Sequence, residues 1–311
     1  MANRSRIEWT EATWNFLTGC TKISPGCVNC NAERFAKRMA GRNGYPKDNP
    51  FKVTFHPDRM DLPLRWKKPR MIFVNSMSDL FHEDVPEDII QSAFDVMSRA
   101  YWHTFQILTK RPEKMFKTLS QMDRLLSNVW LGVTVENKDQ LGRIEHLLQT
   151  PAVVRFVSVE PMLSPVYFTK IAIIECPTCN DGKRWANNPV PSACYKCGRQ
   201  QSINSKIDWI VCGGETGPGA RPIHPDWARS LRNQCQAAGI PFFFKQWGEF
   251  LHVSQGTTPL SAEQVDGVKS LDYLDGQAVR VGKKAAGRLL DGRKWEDYPQ
   301  NFSRFLHGSG D

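Results

Sequence analysis

The sequence predicts an α/β protein, a full or partial parallel β/α barrel carrying a cysteine-rich insert, on three observations. Short apolar runs of strand length recur along the chain, most are separated by segments with helical apolar spacing, and the residues after each run are polar. Strand and helix in alternation argue for a parallel sheet with helices outside it. About seven strands suit a full or partial barrel better than a small open sheet, and a doubly wound open sheet is the alternative.

The first strand is expected around Trp14 to Leu17, just ahead of Cys20. The next is Met71 to Val74, followed by a helix from Pro86 to Ala100 with Ile89, Ile90, Phe94 and Met97 at helical spacing. Phe105 to Leu108 and Val129 to Val135 read as strands around a helix from Pro112 to Leu126. Gln140 to Leu148 reads as the helix that leads to the strand Val153 to Val159. Ile207 to Cys212, a helix from Trp227 to Ala238, and Pro241 to Phe244 complete the set. β-branched apolar runs of this length match strands buried on both faces.

The strand ends are more polar than turns require: Asn75-Ser76-Met77-Ser78-Asp79, Thr109-Lys110-Arg111, Glu136-Asn137, Glu160-Pro161 and Gly213-Gly214-Glu215-Thr216-Gly217. Singly, each is as well explained by helix N-caps and turn formers. Together they match the carboxyl end of a parallel sheet, where such folds carry their sites, and a convergence on one mouth is expected.

Trp14 to Cys30 holds Cys20, Cys27 and Cys30 at C-x6-C-x2-C spacing in one loop. Three thiolates are an incomplete shell for zinc or for an iron-sulfur cluster. Either a distant residue completes it, His56 or His82 in a structural zinc knuckle, or one position stays open for a ligand. A second group, Cys176, Cys179, Cys194 and Cys197, forms two C-x2-C knuckles and offers four thiolates to one ion. It reads as a structural zinc ribbon, with a second iron-sulfur centre or a redox dithiol as alternatives. Cys212 and Cys235 read as ordinary buried residues. The resulting domains are 1–170 with 204–250 as the barrel-like core, 171–203 as the zinc-ribbon insert, and 251–311 as a C-terminal extension packed on the core.

The chain of 311 residues is 41% hydrophobic, enough for a real core. No apolar run reaches membrane-spanning length and the first residues are polar, so a cytoplasmic protein with no membrane partner is expected. In that compartment cysteine pairs bind metal or do redox chemistry more often than they form disulfides. The formal charge of +9 permits a phosphate-bearing partner without requiring one. Trp9, Trp14, Trp247 and Trp295 have polar neighbours suited to stacking on bases, although core or rim is the commoner place for tryptophan.

Trp14-Asn15 to Cys30, Val74 to Phe81, Leu108 to Pro112, Gly132 to Glu136, Ser158 to Pro161 and Cys212 to Glu215 together resemble a family often encoded by phages and prophages. That family has unknown function and a three-cysteine motif suggestive of radical S-adenosylmethionine (SAM) enzymes, and its genes often neighbour those of a three-Cys-motif partner protein. The resemblance implies a β/α barrel with a [4Fe-4S] cluster on Cys20, Cys27 and Cys30. The fourth iron would take SAM, and reduction would cleave SAM to a 5′-deoxyadenosyl radical.

The sequence departs from the radical SAM pattern in four places. The first cysteine gap is six residues where three is commonest, Asn29 stands where an aromatic residue is frequent, and Asn31 stands where this family more usually has tyrosine. Gly213-Gly214-Glu215 follows a late strand rather than the second, so the amine-binding role of that triplet is not transferred to Glu215. By position, Ser76 and Asp79 are the candidates for the SAM amine, and Thr134, Glu136 and Glu160 for further SAM or substrate contacts.

The expected function is a radical SAM enzyme acting on a nucleic acid or nucleotide, in modification or repair, with DNA or RNA and the three-Cys-motif partner as expected partners. The alternative is a non-catalytic, zinc-dependent nucleic-acid-binding protein.

Overall fold

The computed structural model describes residues 5–299 except 123–124, 169, 176–177, 180–182, 188–189, 191, 198, 201, 256–269 and 274–275. Cys176 lies outside the described residues. The fold is mixed α/β, with seven parallel strands: β1 (Ala12–Trp14), β2 (Met71–Val74), β3 (Thr104–Thr109), β4 (Val129–Thr134), β5 (Val154–Val159), β6 (Trp209–Gly213) and β7 (Phe242–Gln246). They are ordered in the sheet as they occur in the chain. A doubly wound sheet reverses its order at a switch point. This order has no reversal, so it is compatible with a partial β/α barrel and does not match the doubly wound alternative.

The chain divides into two compact units, Met1–Thr134 with Gln149–Phe156 and Val135–Leu148 with Val157–Pro299. In the first, β1 pairs with β2 (Trp14 opposite Val74), β2 with β3 (Val74 opposite Ile107) and β3 with β4 (Ile107 opposite Leu131), all parallel. This register places Asn15, Asn75 and Leu108 at one level, so the polar residues after these strands emerge together. All six residues of β4 are buried, as expected for a strand covered on both faces. Helix α1 (Asn31–Arg38) follows Cys30 directly, and α2 (Glu87–Arg99) buries Ile90, Ala93, Val96 and Met97 along one stripe.

Two boundaries differ from the sequence expectation. The first strand ends at Trp14, because the Asn15 side chain turns to hydrogen-bond Ser76 and the Met77 amide, and Leu17–Thr18 pairs antiparallel with Thr54–Phe55 instead. Helix α3 (Pro112–Leu119), with Pro112 in its first turn, stops short of Leu126. Beyond Leu119 the amides of Gln121 and Met122 bond three residues back, to Thr118 and Leu119, and the α-ladder ends.

In the second unit, α4 (Arg143–Gln149, its last residue in the first unit) begins after a short 3-10 turn at Lys138–Gln140. Helix α5 (Pro225–Ala238) has His224 as its N-cap, accepting the Asp226 amide, and ends at Gly239 in the left-handed conformation. Strands β6 and β7 pair parallel, and the C-terminal segment borders β7 through hydrogen bonds from Phe244 N to Trp295 O and from Asp297 N to Phe242 O. Within the insert, Ala172–Glu175, Lys183–Ala186 and Ser202–Lys206 form an antiparallel sheet with Ala172–Glu175 central. Its small core is Ala172, Ile174 and Ala186, with Val190 against them. Among the described residues, no helix is long and apolar enough to cross a membrane.

Candidate functional site

The cysteine loop of the first unit leaves the body at Gly19 and is closed at its base by the Leu17–Thr18 and Thr54–Phe55 pair. Gly19 has φ of +85°, and a Cβ there would lie 2.1 Å from the Lys52 carbonyl oxygen, so only glycine fits. Its amide donates to Met77 O at 3.0 Å and its carbonyl accepts Ser78 Oγ at 2.6 Å, while the Cys20 amide donates to Phe51 O. Cys27 closes a 3-10 turn at Pro25–Cys27, and Cys30 is the N-cap residue of α1. Lys22 holds the far side, donating to Val28 O at 3.3 Å and pairing with Glu33 in the first turn of α1 at 2.8 Å.

Each of the three thiols faces a source of positive charge. Arg111, in the polar stretch after β3, is 6% exposed and aims Nη1 at Cys20 Sγ at 3.5 Å. Burial and the Asp79 carboxylate nonetheless push the Cys20 thiol up to about 11, against the pull of Arg111. Such a thiol is protonated at neutral pH and loses its proton when it takes a metal. Burial acts upward on Cys27 too, but the Lys110 charge and donors at Ile23 and Ser24 outweigh it and hold that thiol below its ordinary value. Cys30, the N-cap residue of α1, lies within electrostatic reach of the Lys22 ammonium.

A network fixes Arg111. Its Nε donates to both Glu83 oxygens at 2.9 and 2.8 Å, its Nη1 to Asp79 Oδ2 at 3.3 Å, and its Nη2 to Thr21 Oγ1 at 2.8 Å. Thr21 Oγ1 also meets His82 Nε2 at 2.8 Å, while His82 Nδ1 accepts the Asp84 amide. That pattern assigns the proton to Nε2 in the neutral ring, and burial followed by the Arg111 charge holds His82 below its ordinary value. Asp79 is buried, and its oxygens accept Thr109 Oγ1 at 2.6 Å and the amides of Phe81 and Lys110 at 3.0 Å as well as Arg111. Ser76 is half-buried, its hydroxyl donating to Asn15 Oδ1 at 3.2 Å.

Cys20, Cys27 and Cys30 do not form a group at single-ion spacing. Among the described residues, the metal-ligating group whose atoms lie within 4.8 Å of one another is Cys179, Cys194 and Cys197 in the insert. Sulfurs of Cys179 and Cys194 stand 3.8 Å apart, and the three can hold a metal ion. His56 and His82, the candidate fourth ligands of a zinc knuckle, face the hydroxyls of Thr18 and Thr21.

Of the other candidates, the two glutamates are ion-paired. Thr134 ends β4, buried, in the first unit. In the second unit, fully buried Glu136 accepts Arg143 Nη1 at 2.9 Å, and Glu160 pairs with Lys245 at 3.0 Å. A Cβ on Gly213 would lie 2.6 Å from Glu160 Oε1, so this glycine makes room for the carboxylate. Glu215 is held by Arg221 at 2.8 and 2.7 Å through Nε and Nη2. Trp9, Trp14, Trp247 and Trp295 are all buried, which places them in the core, the commoner of the two expected places, and sets the stacking alternative aside for these four.

Sequence reasoning missed Arg111 as a site residue, although Thr109-Lys110-Arg111 was legible as a strand-end pair of cations. Tyr195 was also missed: its ring is 71% exposed between Cys194 and Cys197, with the Arg184 guanidinium 4.3 Å and the Lys196 ammonium 5.9 Å from the ring centroid.

A family model described as "Protein of unknown function (DUF5131)" matches residues 4–299. No curated protein and no solved structure matches the chain. With the match running over nearly its whole length, the chain belongs to the DUF5131 family of proteins of unknown function.

Proposed function

We propose that the protein is a radical SAM enzyme whose [4Fe-4S] cluster is held by Cys20, Cys27 and Cys30, and that it acts on a nucleic acid. The observation that carries the cluster assignment is a positive side chain near each thiol: Arg111 at Cys20, Lys110 at Cys27 and Lys22 at Cys30. Such a setting suits an anionic, thiolate-ligated group. In a cluster each thiolate binds a different iron, so its sulfurs need to stand wider apart than those around a single ion. The three loop sulfurs are not gathered at single-ion spacing.

Held by Cys20, Cys27 and Cys30, such a cluster would supply the electron for reductive cleavage of SAM. This chain's own residues hold the loop in place. Gly19 and Ser78 anchor its entry, Lys22 and Glu33 its exit, and Asp79, Thr109 and Thr21 keep Arg111 against Cys20. Ser76, at the half-buried rim, remains the candidate for the SAM amine. The carboxylate of Asp79 is engaged by four donors and serves first to brace Arg111.

For the insert we propose one structural zinc on Cys176, Cys179, Cys194 and Cys197. Thiolates sharing a tetrahedral zinc at about 2.3 Å stand roughly 3.8 Å apart. The Cys179 to Cys194 spacing of 3.8 Å is consistent with that geometry. The exposed Tyr195 with Arg184 and Lys196 supports a nucleic acid as the substrate, since bases stack on such rings and phosphates meet the cations.

The test is anaerobic reconstitution with iron and sulfide, reduction in the presence of SAM, and a search for 5′-deoxyadenosine, with Cys20→Ala as control. About four irons per chain and 5′-deoxyadenosine that both vanish in Cys20→Ala support the reading. Stoichiometric zinc at these three cysteines with no iron uptake would instead establish the non-catalytic, zinc-dependent binding protein.

A further inference from the structure

Arg111 is a fixed cation in contact with one of the three loop cysteines. It is 6% exposed, its Nη1 lies 3.5 Å from Cys20 Sγ, and its remaining donors are held by Glu83, Asp79 and Thr21. We infer that Arg111 is the residue that sets the reduction potential of the cluster, through its N–H donation to the Cys20 sulfur and its charge. The inference rests on the cluster assignment above and adds to it a residue outside the cysteine motif.

The physical argument concerns the charge that enters on reduction. One electron, from an external one-electron donor, adds one negative charge to the cluster and no proton needs to move. A hydrogen bond to a ligating sulfur and a nearby fixed cation both favour the more negative state, and both raise the potential. Low local dielectric strengthens the effect, because water is kept from Arg111. Three acceptors hold the guanidinium fork against Cys20: buried Asp79 from within, and Thr21 and Glu83 from the exposed side. Lysine has no such fork and could not meet all of them at once.

Glu83 supplies a test of opposite sign. Its side chain is 66% exposed and carries a negative charge 2.8 Å from Arg111 Nε. Removing that charge should raise the potential, by less than the loss of Arg111 lowers it, because solvent screens the exposed carboxylate.

The experiment is a potentiometric titration with dithionite of reconstituted wild type, R111M, R111K and E83Q, followed by electron paramagnetic resonance, with iron and sulfide measured on each sample. R111M is expected to load iron and to lose about tenfold in the one-electron reduction equilibrium, which is about 59 mV toward more negative potential. E83Q is expected to shift the other way by a smaller step. If R111M holds no iron, R111K carries the test, and its midpoint should lie below that of the wild type. A midpoint unmoved in every iron-loaded Arg111 variant, or one that moves in the same direction in R111M and E83Q, overturns the inference and leaves Arg111 as a structural brace. A wild-type protein that binds no iron fails the cluster assignment itself, and the inference falls with it.

Discussion

At the residue scale, the cysteine loop depends on one backbone conformation. Gly19 combines a left-handed φ with a carbonyl oxygen 2.1 Å from where a Cβ would stand. Gly19→Ala is therefore expected to cost about 1–3 kcal/mol for the backbone strain, and more if the Lys52 carbonyl cannot yield. Urea unfolding would show the lowered midpoint, and iron uptake after reconstitution should fall with it. An alanine variant with unchanged midpoint and full iron would mean that the loop entry has slack. Glycine before the first cysteine was visible in the sequence, but its necessity was not. That follows from Phe51 and Lys52, more than thirty positions away, folding back over it.

At the element scale, two clamps make separate predictions. In the insert, Cys194→Ser should release one zinc and unfold the local sheet, since a structural zinc contributes roughly 10 kcal/mol or more to folding at pH 7. The iron of the loop should remain, because the two cysteine groups belong to different elements; zinc and iron content measured together would check this, and joint loss would contradict it. The second clamp joins α5 to the C-terminal segment: Asp291 accepts Arg229 Nη2 at 2.8 Å and Arg232 Nη1 at 2.7 Å, with Gln255 Nε2 at 3.2 Å. Burial acts upward on Asp291, but hydrogen bonds from Arg229, Arg232 and Gln255 outweigh it and bring its carboxyl down to about 2. A depressed folded pKa contributes stability that is complete above the unfolded value of roughly 4 and is lost as pH falls toward the folded value. The stability gap between wild type and Asp291→Asn should therefore be constant near neutrality and close between about pH 4 and pH 2. Thermal unfolding across that range measures it, and a gap that persists at the acid end would remove Asp291 as its cause.

At the scale of the whole molecule, the proposed nucleic-acid partner predicts a salt signature. Four phosphate contacts would lower affinity for duplex DNA roughly a hundredfold between about 50 and 200 mM salt, with a shallower slope on single strands. Tyr195→Ala should weaken single-strand binding by about 1–3 kcal/mol and leave the slope in place, whereas Lys196→Gln should reduce the slope by about one contact. Binding that ignores salt and both substitutions would move the substrate to a protein or a small molecule. The succession of strands and helices along the chain was legible in the sequence, because strand length, helical period and polar strand ends are local properties that recur with each repeat; the strand order in the sheet came from the structure. So was the division of seven cysteines into two groups by spacing. Strand and helix ends were less legible: the side chain of Asn15 and the change of hydrogen-bond period after Leu119 ended elements whose apolar pattern ran on. Which polar residues face the thiols was decided only by tertiary structure. Arg111 is ninety-one positions from Cys20, and only the parallel register of β1, β2 and β3 brings them together. The sequence by itself determined the repeating α/β alternation and the two cysteine groups that could hold metal, both written in residue type and spacing. The tertiary structure alone decided that Asp79 braces an arginine, that four tryptophans are core, and that a tyrosine stands exposed, because burial and ion pairing depend on which distant segments meet.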